Sequence, residues 1–136
     1  IPEIDTLLAA DAAEIPFPFA RTTNGLPYMR ESLAKLAEVD AQTVLYCHAP
    51  VTIGAQLLHN NIAYFDKVEK HCREALAQGM PAQPNEDADL AALINLTLDE
   101  ATPHGEQWQD IHDYYKTKGH AHQIRTMLEW LDKSDR

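Results

Sequence analysis

Apolar positions along the chain follow two periods. Thr6–Ala10 is a short apolar run that ends at Asp11, and Thr43–Cys47 (Thr-Val-Leu-Tyr-Cys) is a second that ends at His48, with Pro50 closing off further pairing. Both read as strands, although for so short a run as the first periodicity alone leaves a helical turn open. From Tyr28 to Glu38 the period changes, with Met29, Leu33, Leu36 and Ala37 on one helical stripe. Strand, loop, helix, strand is the core of an α/β unit, and a parallel pairing of the two strands fits it.

A longer helix follows from Gln56 to Gln78. Leu58, Ile62, Phe65, Val68, Cys72 and Leu76 form its stripe, Asn60, Asn61, Asp66, Lys67, Lys70 and Arg73 its wetter sides, and Gly79 its stop. Met80–Asn85 is a linker containing Pro81 and Pro84. Asn85, followed by Glu86 and Asp87, marks a helix start, and Leu90, Leu93 and Ile94 give that helix a buried face. Pro103 and Gly105 break the chain, Trp108, Ile111 and Tyr115 mark a helix up to Gly119, and Ile124, Met127, Leu128 and Leu131 mark the last one. The expected organisation is an α/β portion over 1–79 and a helical C-terminal extension over 80–136.

Between the first strand and the first helix, Ala12–Pro27 is a long loop. Pro16 and Pro18 forbid ordinary helix or sheet interior there, and Asn24-Gly25-Leu26-Pro27 is a turn signal. Loops of this length in small domains are commonly functional. Phe17 and Phe19 either serve a site or cover the edge of the core.

Composition narrows the partners. Among 136 residues, 21 acids face 11 bases for a net charge of −10, which argues against a nucleic-acid backbone or an anionic membrane surface. The 45% hydrophobic content supplies a core, yet no apolar run approaches the roughly twenty residues a membrane span needs, and no secretory signal is evident. Cys47 and Cys72 make neither a disulfide framework nor a close-spaced metal pair, and are expected to be buried thiols in a cytoplasmic protein. The chain opens Ile1-Pro2-Glu3 without an initiator methionine, which raises the expectation of a piece of a longer polypeptide.

The candidate chemistry lies at the strand ends. A carboxylate at Asp11 and an imidazole at His48, presented by neighbouring strands, can share a metal with oxygen and nitrogen donors suited to zinc, iron or manganese, or can form a general acid/base pair. Catalytic metal sites usually take at least three protein ligands, and no other His/Asp/Glu cluster is expected to supply the rest. His120-Ala121-His122 has the look of a ligand pair but falls at a helix start in the tail. His59, His71, His104 and His112 are read as surface or structural residues. Ser32 and Ser134 lack nucleophile-elbow glycines, and there is no glycine-rich phosphate loop. Cys47 is expected to point away from His48, as alternate strand residues do.

The order of parts resembles a known family. Leu7-Leu8-Ala9-Ala10-Asp11-Ala12, then Tyr28-Met29-Arg30-Glu31-Ser32-Leu33-Ala34-Lys35-Leu36, then Val44-Leu45-Tyr46-Cys47-His48-Ala49-Pro50-Val51, then Asn61-Ile62-Ala63-Tyr64-Phe65 is similar to the C-terminal third of the metallo-β-lactamase superfamily. The resemblance implies that Asp11 is a bridging ligand and His48 the terminal ligand of a dinuclear centre. It also implies that the fold is the C-terminal part of an αββα sandwich, and that a hydrolase for an ester, thioester, lactone, amide or phosphodiester is completed by an N-terminal part or by self-association. Ala10, Cys47 and Ala49 stand where that family prefers glycines, and its His-x-His-x-Asp-His motif has no counterpart in this chain. The loop Ile15–Phe19 and the tail helices would shape a pocket for a small-molecule substrate. The alternatives are a non-catalytic interaction module, using an exposed sheet edge, and a small helical binding domain.

Overall fold

The two strand-forming runs lie side by side. In the computed structural model, which describes residues 1–135, β1 (Thr6–Ala10) pairs in parallel with β2 (Thr43–Tyr46), with Thr6 opposite Thr43, Leu7 opposite Val44 and Leu8 opposite Leu45. The crossover between them is α1 (Gly25–Glu38), preceded by the irregular 11–24 segment. Side chains alternate across a pleat, so Val44 and Ala9 turn into the core, while Leu8 and Leu45 face outward at 60% and 40% exposure.

The long helix α2 (Gln56–Ala77) is the spine. Its buried face carries Leu57, Leu58, Asn61, Tyr64, Phe65, Val68 and Cys72, a stripe rotated from the expected one by the inclusion of Asn61. Arg30 of α1 forks to Asp66 and Glu69 of α2, fixing how the two helices cross. On the other side α2 packs against α5 (His120–Ser134), whose Ile124, Met127, Leu128 and Leu131 are fully buried. The buried core runs without interruption from Ala9 to Leu131.

Between α2 and α5 the chain forms the single turns α3 (Leu90–Leu93), α4 (Leu98–Ala101) and a 3-10 turn at Glu106–Trp108, and then a π-helical segment, Tyr115–Gly119, that runs directly into α5. The first of these starts at Asp89, whose carboxylate accepts from the Ala92 N–H at 3.1 Å, and not at Asn85. Thr97 and Glu100 close a reciprocal capping box on α4. Leu93, expected inside, is exposed, because a one-turn helix buries only Leu90.

The expected αββα sandwich is not the architecture observed. Among the described residues the sheet has two strands, and helices make up most of the remainder. The physical reason lies in the pattern itself: a sandwich needs two multi-stranded sheets, and outside Thr6–Ala10 and Thr43–Tyr46 the apolar residues recur at helical spacing or are broken by proline. No helix among the described residues is long and apolar enough to cross a membrane.

Candidate metal centre

Asp11 follows directly on a distorted strand end. The ladder slips between Leu8 and Ala10, so that Ala10 pairs with Tyr46, and Ala10 takes a left-handed backbone at φ 50°. Such a bulge re-aims the residues after it. The slip turns Asp11 toward the end of β2, where His48 stands in the loop beyond Tyr46. That loop is tied back by the Tyr46 hydroxyl, which donates to the Gly54 carbonyl at 2.6 Å.

Asp11 Oδ1 and His48 Nε2 lie 3.3 Å apart, and both side chains are open to solvent at 65% and 67% exposure. Glu14 joins them: donor atoms of Asp11, Glu14 and His48 all fall within 4.8 Å of one another. Glu14 reaches this point because its backbone is clamped by Asn61, a fully buried residue of α2. Asn61 Oδ1 accepts from the Glu14 N–H at 3.0 Å, while Nδ2 donates to the Glu14 and Pro16 carbonyls at 2.9 and 3.2 Å. One donor and two acceptors around the carboxamide leave it a single orientation.

Burial is the main influence on Glu14 and raises its carboxyl above the usual range, against the lowering effect of nearby His48; Asp11 raises it further, and Tyr115 lowers it. The neighbouring Asp11 carboxylate, with partial desolvation and the negative charge of Glu14, pushes the pKa of the Cys47 thiol up. Cys47 is thus an exposed thiol beside the cluster, not a buried one facing away, since β2 ends at Tyr46 and alternation no longer governs it.

The three donors suit a divalent first-row ion. Two carboxylates and one imidazole form an oxygen-rich set of the kind that takes zinc, iron or manganese, and three protein ligands leave positions open. Metal–ligand bonds of about 2.0–2.2 Å put donors about 3–3.6 Å from each other, so the exposed Asp11 and His48 side chains need only a small rotation to close on an ion.

Two of the remaining histidines are spoken for within the fold. His120 Nε2 bonds the Leu96 carbonyl at 2.9 Å, so it carries the proton, and Nδ1 accepts from the Tyr64 hydroxyl at 2.8 Å. His71 Nδ1 lies 3.0 Å from the Ile94 carbonyl. His122 stacks on Phe19 with ring centroids 5.2 Å apart, and its Nε2 is buried without a hydrogen-bond partner. His120 and His122 therefore do not act together as a ligand pair.

Glu14 was not expected in the site, although a signal existed: an acid three residues after the strand-end aspartate and two before a proline, Asp11-Ala12-Ala13-Glu14-Ile15-Pro16. Asn61, the residue that holds it, reads from spacing alone as one of the wet positions of α2. Of the loop aromatics, Phe17 is fully buried and stacked on Tyr64 at 4.3 Å, whereas Phe19 is half-buried. No protein-family model matches the chain, and no curated protein or solved structure matches it either.

Proposed function

We propose that this chain supplies a three-ligand half, Asp11, Glu14 and His48, of a metal-dependent hydrolytic centre. The observation that carries this reading is the convergence of two carboxylates and an imidazole from separate segments, the loop after β1 and the loop after β2, on one solvent-open point. Ligand convergence at the carboxyl ends of parallel strands is where α/β units bind. The family resemblance of the Asp11 and His48 segments supports hydrolysis as the reaction, with an ester, thioester, lactone, amide or phosphodiester as substrate. Bound zinc, iron or manganese would supply Lewis acidity toward the polarised oxygen of the scissile group. The chain's own residues hold the ligand geometry through Asn61, which fixes the Glu14 backbone.

A dinuclear centre needs further ligands, and we take these to come from an N-terminal part of the same polypeptide or from a second copy. Leu8 and Leu45, exposed on the outer face of a sheet with two open edges, support such a partner, because parallel sheets are ordinarily covered on both faces. The same surface favours the second reading, a non-catalytic interaction module, and the two differ in metal. Native mass spectrometry with metal analysis separates them. Transition metal retained by wild type and lost in Asp11→Ala and His48→Ala, with association unchanged, supports the hydrolytic centre; metal content equal in all three excludes it.

A further inference from the structure

Beside Asp11, Glu14 and His48, the loop after β1 and the tail border a wide-open surface depression of about 450 Å³, lined by Glu14, Phe19, Arg21, Tyr114, Tyr115 and His122. Glu14, Phe19 and Arg21 also line a neighbouring cavity of about 400 Å³ that extends to Asp11. The two spaces thus meet at three shared residues, one of which belongs to the metal cluster. Such a volume is in the range of small-molecule sites.

The walls of the larger space are aromatic. Phe19 stacks against His122 and lies 5.8 Å from the Tyr114 ring and 6.3 Å from the Tyr115 ring, centroid to centroid. Gly119 permits this arrangement, since a Cβ there would come within 3.3 Å of the Phe19 ring. Tyr115, which opens the π-helical turn Tyr115–Gly119, and Tyr114 just before it line the same space. Arg21 is the positive charge in both linings and makes no ion pair or side-chain hydrogen bond among the described residues, whereas Arg30, Arg73 and Arg125 are all engaged. Arg21 is exposed and shares both linings with the Glu14 carboxylate, and an arginine left unpaired beside an aromatic wall is complementary to a ligand anion.

Building on the hydrolytic reading above, we infer that this cavity is the substrate pocket and that it takes a planar, aromatic organic anion. The ring lies among Phe19, Tyr114, Tyr115 and His122, Arg21 holds the carboxylate, and the scissile group extends past Glu14 toward Asp11. Flat rings gain from stacked and edge contacts with such walls, and a guanidinium matches a carboxylate with two parallel hydrogen bonds.

Calorimetric titration of the full chain tests this in buffer containing EDTA, so that no probe can bind through a metal. The probes are benzoate, its neutral planar counterpart benzamide, the non-planar anion cyclohexanecarboxylate, and inorganic phosphate. Benzoate is expected to bind about tenfold more tightly than each of the other three. Arg21→Gln should cost benzoate about tenfold and abolish its advantage over benzamide, and Tyr114→Leu should abolish its advantage over cyclohexanecarboxylate. Equal binding of benzoate and benzamide, phosphate binding as tightly as benzoate, an unaffected Arg21→Gln variant, or no saturable binding would each overturn the proposal. Zinc titration of the same protein without benzoate reports on the metal centre separately: zinc binding without benzoate binding sinks the pocket alone, and the reverse sinks the centre alone.

Discussion

The carboxamide of Asn61 accepts from the Glu14 N–H at 3.0 Å and returns a hydrogen bond to the Glu14 carbonyl at 2.9 Å, so a buried residue of the central helix fixes the backbone of an acidic loop residue. With the third bond to Pro16, this clamp satisfies backbone groups that the proline-rich segment cannot pair in any ladder. Asn61→Ala leaves one donor and two acceptors without partners and is expected to destabilise the fold by about 2–4 kcal/mol in chemical denaturation. Asn61→Asp keeps the acceptor but sets carboxylate oxygens against two carbonyls, so it should also destabilise. An Asp variant as stable as wild type would mean that the clamp does not hold the loop.

Ala10 carries the backbone strain of the site. A left-handed conformation costs a residue with a Cβ about 1–2 kcal/mol, and glycine avoids it while losing about 0.4–1 kcal/mol through a freer unfolded chain. Ala10→Gly should therefore be neutral to slightly stabilising, by up to about 1 kcal/mol, and Ala10→Val, β-branched, clearly destabilising. Thermal or chemical melts of the two variants decide it; a valine variant as stable as wild type contradicts the left-handed bulge.

Stability should fall on mild acidification through His120. Burial is the main cause holding its pKa below the ordinary 6.5, opposed by the bond to the Leu96 carbonyl, which raises it. The unfolded ring takes up a proton near pH 6.5 that the folded ring refuses. The stabilisation is therefore present above that pH and is lost as pH falls toward the folded pKa. The melting temperature of wild type should drop between pH 7 and pH 5, and His120→Gln, less stable at pH 7, should show a flatter profile over that window. Parallel profiles would rule the histidine out as the source.

The two thiols should separate in reactivity. Cys72 is fully buried, and burial, with the nearby Glu69 charge, pushes its pKa to about 12, whereas Cys47 is exposed. A thiol reagent should modify one cysteine in the folded protein, identified as Cys47 by peptide mapping, and both after denaturation. Modification of Cys72 under native conditions would contradict the packing of α2.

The strands, α1, α2 and α5 are legible in the sequence because each has a run long enough, or bounded sharply enough, for its period to show. Thr43–Tyr46 stops one residue earlier than expected, which leaves Cys47 exposed beyond the strand end. The region between α2 and α5 is less legible: its apolar residues suit whole helices, but Pro103, Gly105 and the local caps at Asp89 and Thr97 divide it into single turns. Asp11 and His48 could be named because they punctuate strands. Glu14 could not, since its place depends on Asn61, whose contact with it is long-range and invisible to any helical period. The sandwich expectation failed because the resemblance rests on short segments around Asp11 and His48, and those segments do not specify the sheet around them.

Isothermal titration of zinc into wild type, Asp11→Ala, Glu14→Gln and His48→Ala tests the central claim most directly, because Glu14 enters the site only through the fold. One zinc ion per chain should bind wild type, and each variant should lose about tenfold or more in affinity while remaining folded by circular dichroism. Zinc binding equally well to wild type and Glu14→Gln, or to none of the four, would contradict a centre built from Asp11, Glu14 and His48.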